Sequence, residues 1–396
     1  MGLVVVFAGT ALATILSSLS VILSDHGSLS QALAVLALVT AWLSALLYKV
    51  PTSYESLFLY SALLGPTLAA MLGEAATASM AGAIAAGAIV ALVNPRNPVV
   101  FLLGLEISIA ASYAAIALGS RKEAKDAALE FFVASSVATV LIAIGLFGYG
   151  NEYSYAIIVM GSLLELAIVP LHLWGVDVVE KASLPGVLAA FTAPKIPVLY
   201  LLLALSAKGY EAVYAAVYSV ALLSALWSSM VGASSARRPR SVLAYGSIAH
   251  LSIPLFLLPV TTLSHSILAY YVACYVLGEA GFIALAYSRE TSTDAEPVLG
   301  KGIGVFVAAL LLGLAGLPPA ASFLAKVLVV LASATSTARF LAALASLLVS
   351  TPLITYSYYE ALRMLNASQG ISKQALFVLV FASAMLIVLF PFAPMR

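Results

Sequence analysis

Apolar runs follow one another along the whole chain, cut at short intervals by charged residues or by Pro and Gly. They do not alternate apolar with polar, as barrel strands would. A helix rises about 1.5 Å per residue and the hydrocarbon core is about 30 Å thick, so each run of about 20 apolar residues predicts one membrane-crossing helix. The runs lie at 3–23, 31–48, 56–73, 76–93, 98–118, 126–149, 154–174, 187–206, 211–232, 241–260, 265–287, 303–331, 339–362 and 374–392, fourteen in all. The third and fourth are parted mainly by Gly73 and Glu74. The first, MGLVVVFAGTALATILSSLSVIL, lacks the positive leader of a cleaved signal peptide and is read as a membrane helix. The pattern predicts an all-α integral membrane protein.

Composition then excludes other classes. Of 396 residues, 63% are hydrophobic and 9% charged, whereas soluble domains carry about 25% charged residues. A formal net charge of +1 supplies no basic face for nucleic acid. The single cysteine, Cys274, cannot form an intrachain disulfide or hold an iron–sulfur cluster alone, and no metal site is expected. None of the four histidines, His26, His172, His250 and His265, sits beside a plausible nucleophile.

Fourteen helices put both termini on one side of the membrane, and the basic loop residues then vote on which side. Lys49, Arg96, Lys208, Arg339 and Arg396 fall on the side of the termini. Arg121, Lys122, Lys125, Lys181, Arg237, Arg238, Arg240, Arg289, Lys301, Arg363 and Lys373 fall opposite. The termini are therefore expected to face outward. The two remaining basic residues, Lys195 and Lys326, fall inside predicted helices.

An ionisable side chain at bilayer depth costs a few kcal/mol, roughly, and marks an ion pathway unless it snorkels outward or closes a static pair. The candidates are Glu106 in LLGLEISIA, Glu165 in GSLLELAIVP, Lys195 in FTAPKIPVLY, His250 in GSIAHLSIP, Glu279 in VLGEAGF and Lys326 in SFLAKVLVV. Pro170 and Pro318-Pro319 remove backbone donors within the seventh and twelfth runs, and broken helices of this kind line polar cavities in transporters. Glu165 lies five residues before Pro170, and Lys326 seven after Pro319. Two charged breaks in two halves suggest a five-helix unit used twice, inverted, over 76–206 and 211–362, with 1–75 preceding it and the last helix, 374–396, following. Glu165 and His172, seven apart, would share a face only of a continuous helix, and Pro170 interrupts it.

The strings LLGLEISIAASY, AIVPLHLWGVDVVEKASLPGVLAAFTAPKIP, RSVLAYGSIAHLSI and LLGLAGLPPAASFLAK resemble, in order and spacing, the antiporter-like proton-translocating subunits of respiratory complex I. Their relatives in Mrp cation/proton antiporters and membrane-bound hydrogenases share the same pattern. The resemblance covers about residues 95 to 365, and FTAPKIP is most like the N-type subunit. With Arg396 straight after the last run, the long lateral helix of the L-type subunit is not expected.

The resemblance implies a proton path through Glu106 on the fifth helix, Lys195 on the eighth, His250 on the tenth and Lys326 on the twelfth. Glu165 joins this path as a departure, because such subunits usually carry a lysine there. Glu130, near the inner face, is a second departure. The implied role is a proton-translocating membrane subunit in the plasma membrane, partnered by other membrane subunits. Quinone and iron–sulfur clusters are expected on those partners and no cofactor on this chain. Two alternatives carry the same pattern: a subunit of an Mrp-type antiporter or membrane-bound hydrogenase, and a scaffold that no longer conducts. The ion is a proton or Na+.

Overall fold

The computed structural model describes residues 2–48, 53–206, 210–261, 263–291, 303–366, 371–392 and 394. Lys49, Lys208, Lys301 and Arg396, which entered the orientation vote, lie outside the described residues. The helices are α1 (Gly2–Ile22), α2 (Gly27–Leu47), α3 (Ser53–Met71), α4 (Ala75–Val93), α5 (Pro98–Ala117) and α6 (Ala124–Phe147). There follow α7 (Glu152–Glu165), α8 (Leu173–Lys181), α9 (Leu184–Thr192), α10 (Lys195–Ala204), α11 (Glu211–Ser234) and α12 (Pro239–Ser252). The last are α13 (Ser264–Thr291), α14 (Ile303–Ala315), α15 (Ala321–Ala332), α16 (Thr337–Asn366) and α17 (Lys373–Val388). Among the described residues there is no strand.

Each predicted run carries helix, but several are interrupted. The seventh is α7 and α8 with an irregular stretch between, the twelfth is α14 and α15, and the tenth ends in a 3₁₀ turn, Ile253–Leu257. The eighth divides into α9 and α10 at Ala193 and Pro194, a break that the sequence reading missed. Among the described residues, nine helical stretches are long and apolar enough to cross a membrane, and the pieces of the twelfth run are shorter apolar helices. Local chemistry sets the ends: Asn97 Oδ1 accepts from the amides of Val99 and Val100, with Pro98 opening α5. Gly73, at φ +88°, makes the turn between α3 and α4 in a region that β-carbons disfavour.

The chain forms two compact units, Met1–Glu165 with Lys181–Leu205, and Leu166–Glu180 with Ser206–Arg396. In the first, α4 is buried almost throughout and packs against α1, α2, α3 and α5. Small residues allow this approach. A β-carbon on Gly87 would lie 2.4 Å from the Ser108 amide nitrogen, and one on Gly104 2.3 Å from that of Ala91. The Ser108 hydroxyl donates to the Ile84 carbonyl at 2.8 Å, a polar tie of the sort that holds helices together in lipid. In the second unit α13 is the buried centre, packed against α17, α15 and α14.

Arg339 corrects the orientation vote. Counted there as a loop residue, it is 1% exposed on the first turn of α16. Its guanidinium donates to the carbonyls of Leu258 at 2.6 Å, Ala332 at 2.8 Å and Ser333 at 3.2 Å, and to Thr335 Oγ1. Five donors in a rigid fork suit such a nest of loose carbonyls, so this charge closes the fold and says nothing about topology.

Candidate functional site

In the first unit, α7 stops at Glu165 because the chain turns left-handed two residues later, at Ala167 (φ 55°), and because Pro170 has no amide to continue the ladder. His172 therefore shares no helix face with Glu165; its Nδ1 lies 3.4 Å from the Pro170 carbonyl. Glu165 is 1% exposed, and neither carboxyl oxygen has a hydrogen-bond partner. Ser135 of α6, whose hydroxyl is likewise unbonded, lies beside it. Lys195 and Glu106 are the charged groups whose fields reach it. Lys195 is 2% exposed at the start of α10, where its ammonium sits 3.9 Å above the Phe191 ring, one turn back on α9. A cation over a desolvated ring is attracted by the ring quadrupole.

Glu106 is exposed on this chain. α5 buries Leu105, Ser108, Ser112 and Ala115, while Val99, Leu103, Glu106 and Tyr113 lie on its exposed stripe. Spacings of three and four put these residues on one helical face, so the face that α5 turns to α4 excludes Glu106.

The second unit holds the other two candidates. α14 ends in a Schellman turn, with Gly316 at φ +71°, the Leu317 amide bonded to the Leu312 carbonyl at 2.9 Å and the Gly316 amide to Gly313 at 3.3 Å. That closure leaves the Ala315 carbonyl over, and Lys326 Nζ donates to it at 2.9 Å. Lys326 is 1% exposed. A β-carbon on Gly316 would fall 2.7 Å from Nζ, so the glycine is required both by its backbone angle and by the lysine. The sequence break at Pro318-Pro319 thus has a definite purpose: it frees a carbonyl at a helix C-terminus, where a cation is favoured.

His250 and Lys326 line one cavity of about 20 Å³, with Tyr271, Tyr275, Glu279 and Ser322 around them; that is room for one water molecule. The His250 ring faces Lys326 and the Leu314 backbone, and its Nε2 has no partner. Tyr271 donates to the His250 carbonyl at 2.8 Å, and the Tyr358 ring stacks on the imidazole at 6.2 Å. The structure therefore brings Glu165 to Lys195 in one unit and His250 to Lys326 in the other.

Glu74, read from sequence only as a boundary, is 6% exposed and accepts from Thr77 Oγ1 at 2.7 Å, Ser183 Oγ at 2.6 Å, and the amide and hydroxyl of Ser120, both at 3.0 Å. Its only sequence signal is the threonine three residues on. Glu130 forms an ion pair with Lys181, each about a third exposed, and such surface pairs contribute little.

A family profile described as NADH:quinone oxidoreductase/Mrp antiporter, TM matches residues 148–355, more than half of the chain. The chain belongs to this transmembrane family. The matched stretch holds Glu165, Lys195, His250 and Lys326, and omits Glu106. Relatives within reach include NADH-quinone oxidoreductase subunit N of Laribacter hongkongensis, 28% identical over 74% of this chain and 65% of that protein. Subunit N of Coxiella burnetii is 26% identical over 60% of this chain and 58% of that protein. The chain thus spans 58 to 65% of the length of these two relatives. A chain of respiratory complex I from Thermus thermophilus superposes with TM-score 0.75 at 22% identity, covering 98% of this chain and 97% of that one. A chain of the Mrp complex from Dietzia gives 0.74 at 15%, covering 98% and 93%. At such identities the likeness establishes the all-helical fold of this family member.

Proposed function

We propose that this chain is a proton-translocating membrane subunit of a complex I-like oxidoreductase, coupling electron transfer in partner subunits to ion movement. The observation that carries this reading is Lys326, a buried ammonium hydrogen-bonded to a carbonyl that a broken helix leaves over, beside a water-sized cavity shared with His250. Lysine suits proton relay because desolvation readily removes its charge, as it does not remove arginine's. Glu165 and Lys195, at a second break, form the other station. The two breaks are the equivalent points of the two inverted five-helix repeats. Quinone, iron–sulfur clusters and further membrane subunits belong to the partners. An Mrp-type antiporter is the second reading, supported by the equal superposition on a chain of the Mrp complex.

Purifying the native assembly and identifying its subunits tests this directly. Co-purifying iron–sulfur and quinone-site subunits are expected; small cation-antiporter subunits in their place would overturn the first reading in favour of the second.

The orientation has its own test. Arg237 is exposed and the chain's single cysteine, Cys274, is buried, so background labelling is low. With the basic loop in the cytoplasm and the termini outside, a cysteine in Arg237→Cys is expected to resist an impermeant maleimide in intact cells and to react in inverted vesicles. Labelling of intact cells would reverse the topology.

A further inference from the structure

At one end of the second unit, the end of α8, the joint between α11 and α12, and the last turns of α13 and α16 line an open cavity of about 430 Å³. That is ample for a small polar ligand. α13 and α16 are 28 and 30 residues long, so a cavity at their ends sits where a membrane-length helix leaves the hydrocarbon.

Four arginines and two glutamates line it, Arg237, Arg238, Arg240, Arg289, Glu180 and Glu290. The acids are engaged: Glu290 is held by two parallel contacts from Arg240, at 2.6 and 2.7 Å, and Glu180 Oε1 accepts from Ser241 at 2.6 Å. Arg237, Arg238 and Arg289 are exposed and form no ion pair among the described residues. Three such guanidiniums in one concavity attract an anion, and their planar forks match phosphate oxygens two at a time. The remaining wall is apolar, formed by Ala286, Met364 and Leu365.

We propose that this cavity binds one phospholipid by its headgroup phosphate, with Arg237, Arg238 and Arg289 on the phosphate and Met364 and Leu365 along the start of the acyl chains. Free phosphate would use the arginines alone. A phospholipid uses both walls, and at this depth it is the phosphate present at highest concentration. Basic pockets at the ends of membrane helices bind anionic headgroups in this way.

The delipidated chain in uncharged detergent, titrated with dioctanoyl phosphatidylglycerol and read by native mass spectrometry, is expected to take up one lipid saturably. The triple variant Arg237→Gln/Arg238→Gln/Arg289→Gln is expected to bind about 100-fold more weakly, and Arg289→Gln alone, if the triple variant does not fold, about fivefold, since each basic residue near an anionic lipid contributes on the order of 1 kcal/mol. Arg363→Gln, exposed on the same end of α16 but outside the cavity, is expected to bind as wild type. Any of four results would overturn the proposal: unchanged binding by the cavity variants, an equal loss in Arg363→Gln, equal uptake of uncharged dioctanoylglycerol, or full competition by millimolar inorganic phosphate, which would mark a free-anion site.

Discussion

In Lys326→Ala, coupled ion translocation is expected to fall by about 100-fold or more, the range associated with loss of a positioned proton-transfer group, while the assembly remains intact. The competing account is that Lys326 is only a cap, its ammonium closing the C-terminus of α14 through the Ala315 carbonyl. A cation at a helix C-terminus contributes about 0.3–2 kcal/mol, which a buried bundle can lose without unfolding. The two accounts separate in Lys326→Arg. That variant keeps a positive charge within reach of Ala315 but holds its proton at any physiological pH. As a cap it would leave translocation intact; as a proton carrier it would leave translocation as low as in the alanine variant. Proton uptake by proteoliposomes of the purified assembly reads the rate, and its melting temperature shows that the bundle survived. Wild-type pumping in a well-assembled Lys326→Ala variant would remove Lys326 from the path.

How far the sequence reached can be judged residue by residue. Every apolar run carries helix, because in lipid the length of a helix is set by the bilayer and the composition of its ends by water, though four runs are interrupted and α8 lies mostly outside them. The breaks at Pro170 and Pro318-Pro319 were legible because proline removes an amide that nothing else replaces. What the breaks do was less so: the Schellman turn around Gly316 and the carbonyl it leaves to Lys326 depend on a backbone angle and on a contact between residues eleven apart in the chain. Glu106 reads as buried in an apolar run, yet burial within this chain is decided by which stripe of α5 meets α4, and a run apolar on all sides carries no signal of that. Arg339 misled in the opposite sense. Near a predicted helix boundary it read as solvated, yet the carbonyls of Leu258 and Ser333, beside two 3₁₀ turns, converge on its guanidinium. Glu74 was invisible for a similar reason, since three of its four donors come from Ser120 and Ser183, far along the chain.

Glu165 is where the resemblance offers no guide and the geometry must decide. Two arrangements are open to a buried carboxyl near another carboxyl and a lysine: pairing through the field of Lys195, or sharing a proton with Glu106. The structure favours the first. Glu106 lies on the exposed stripe of α5, whereas Lys195 is buried, as Glu165 is. Neither oxygen of Glu165 is hydrogen-bonded, so a pairing with Lys195 acts through charge. Removing one member of a buried pair is costly because the other charge stays buried. Glu165→Gln is therefore expected to destabilise the assembly by about 3 kcal/mol, and Glu165→Gln/Lys195→Met, which removes both charges, to recover most of that loss. Sharing a proton with Glu106 gives the opposite sign: glutamine would relieve a repulsion, and the melting temperature would hold or rise. Chemical denaturation of the purified assembly in matched detergent reads both variants. A stability in Glu165→Gln equal to or above wild type would end the pairing with Lys195, and a double variant no more stable than the single one would show that the two charges act separately.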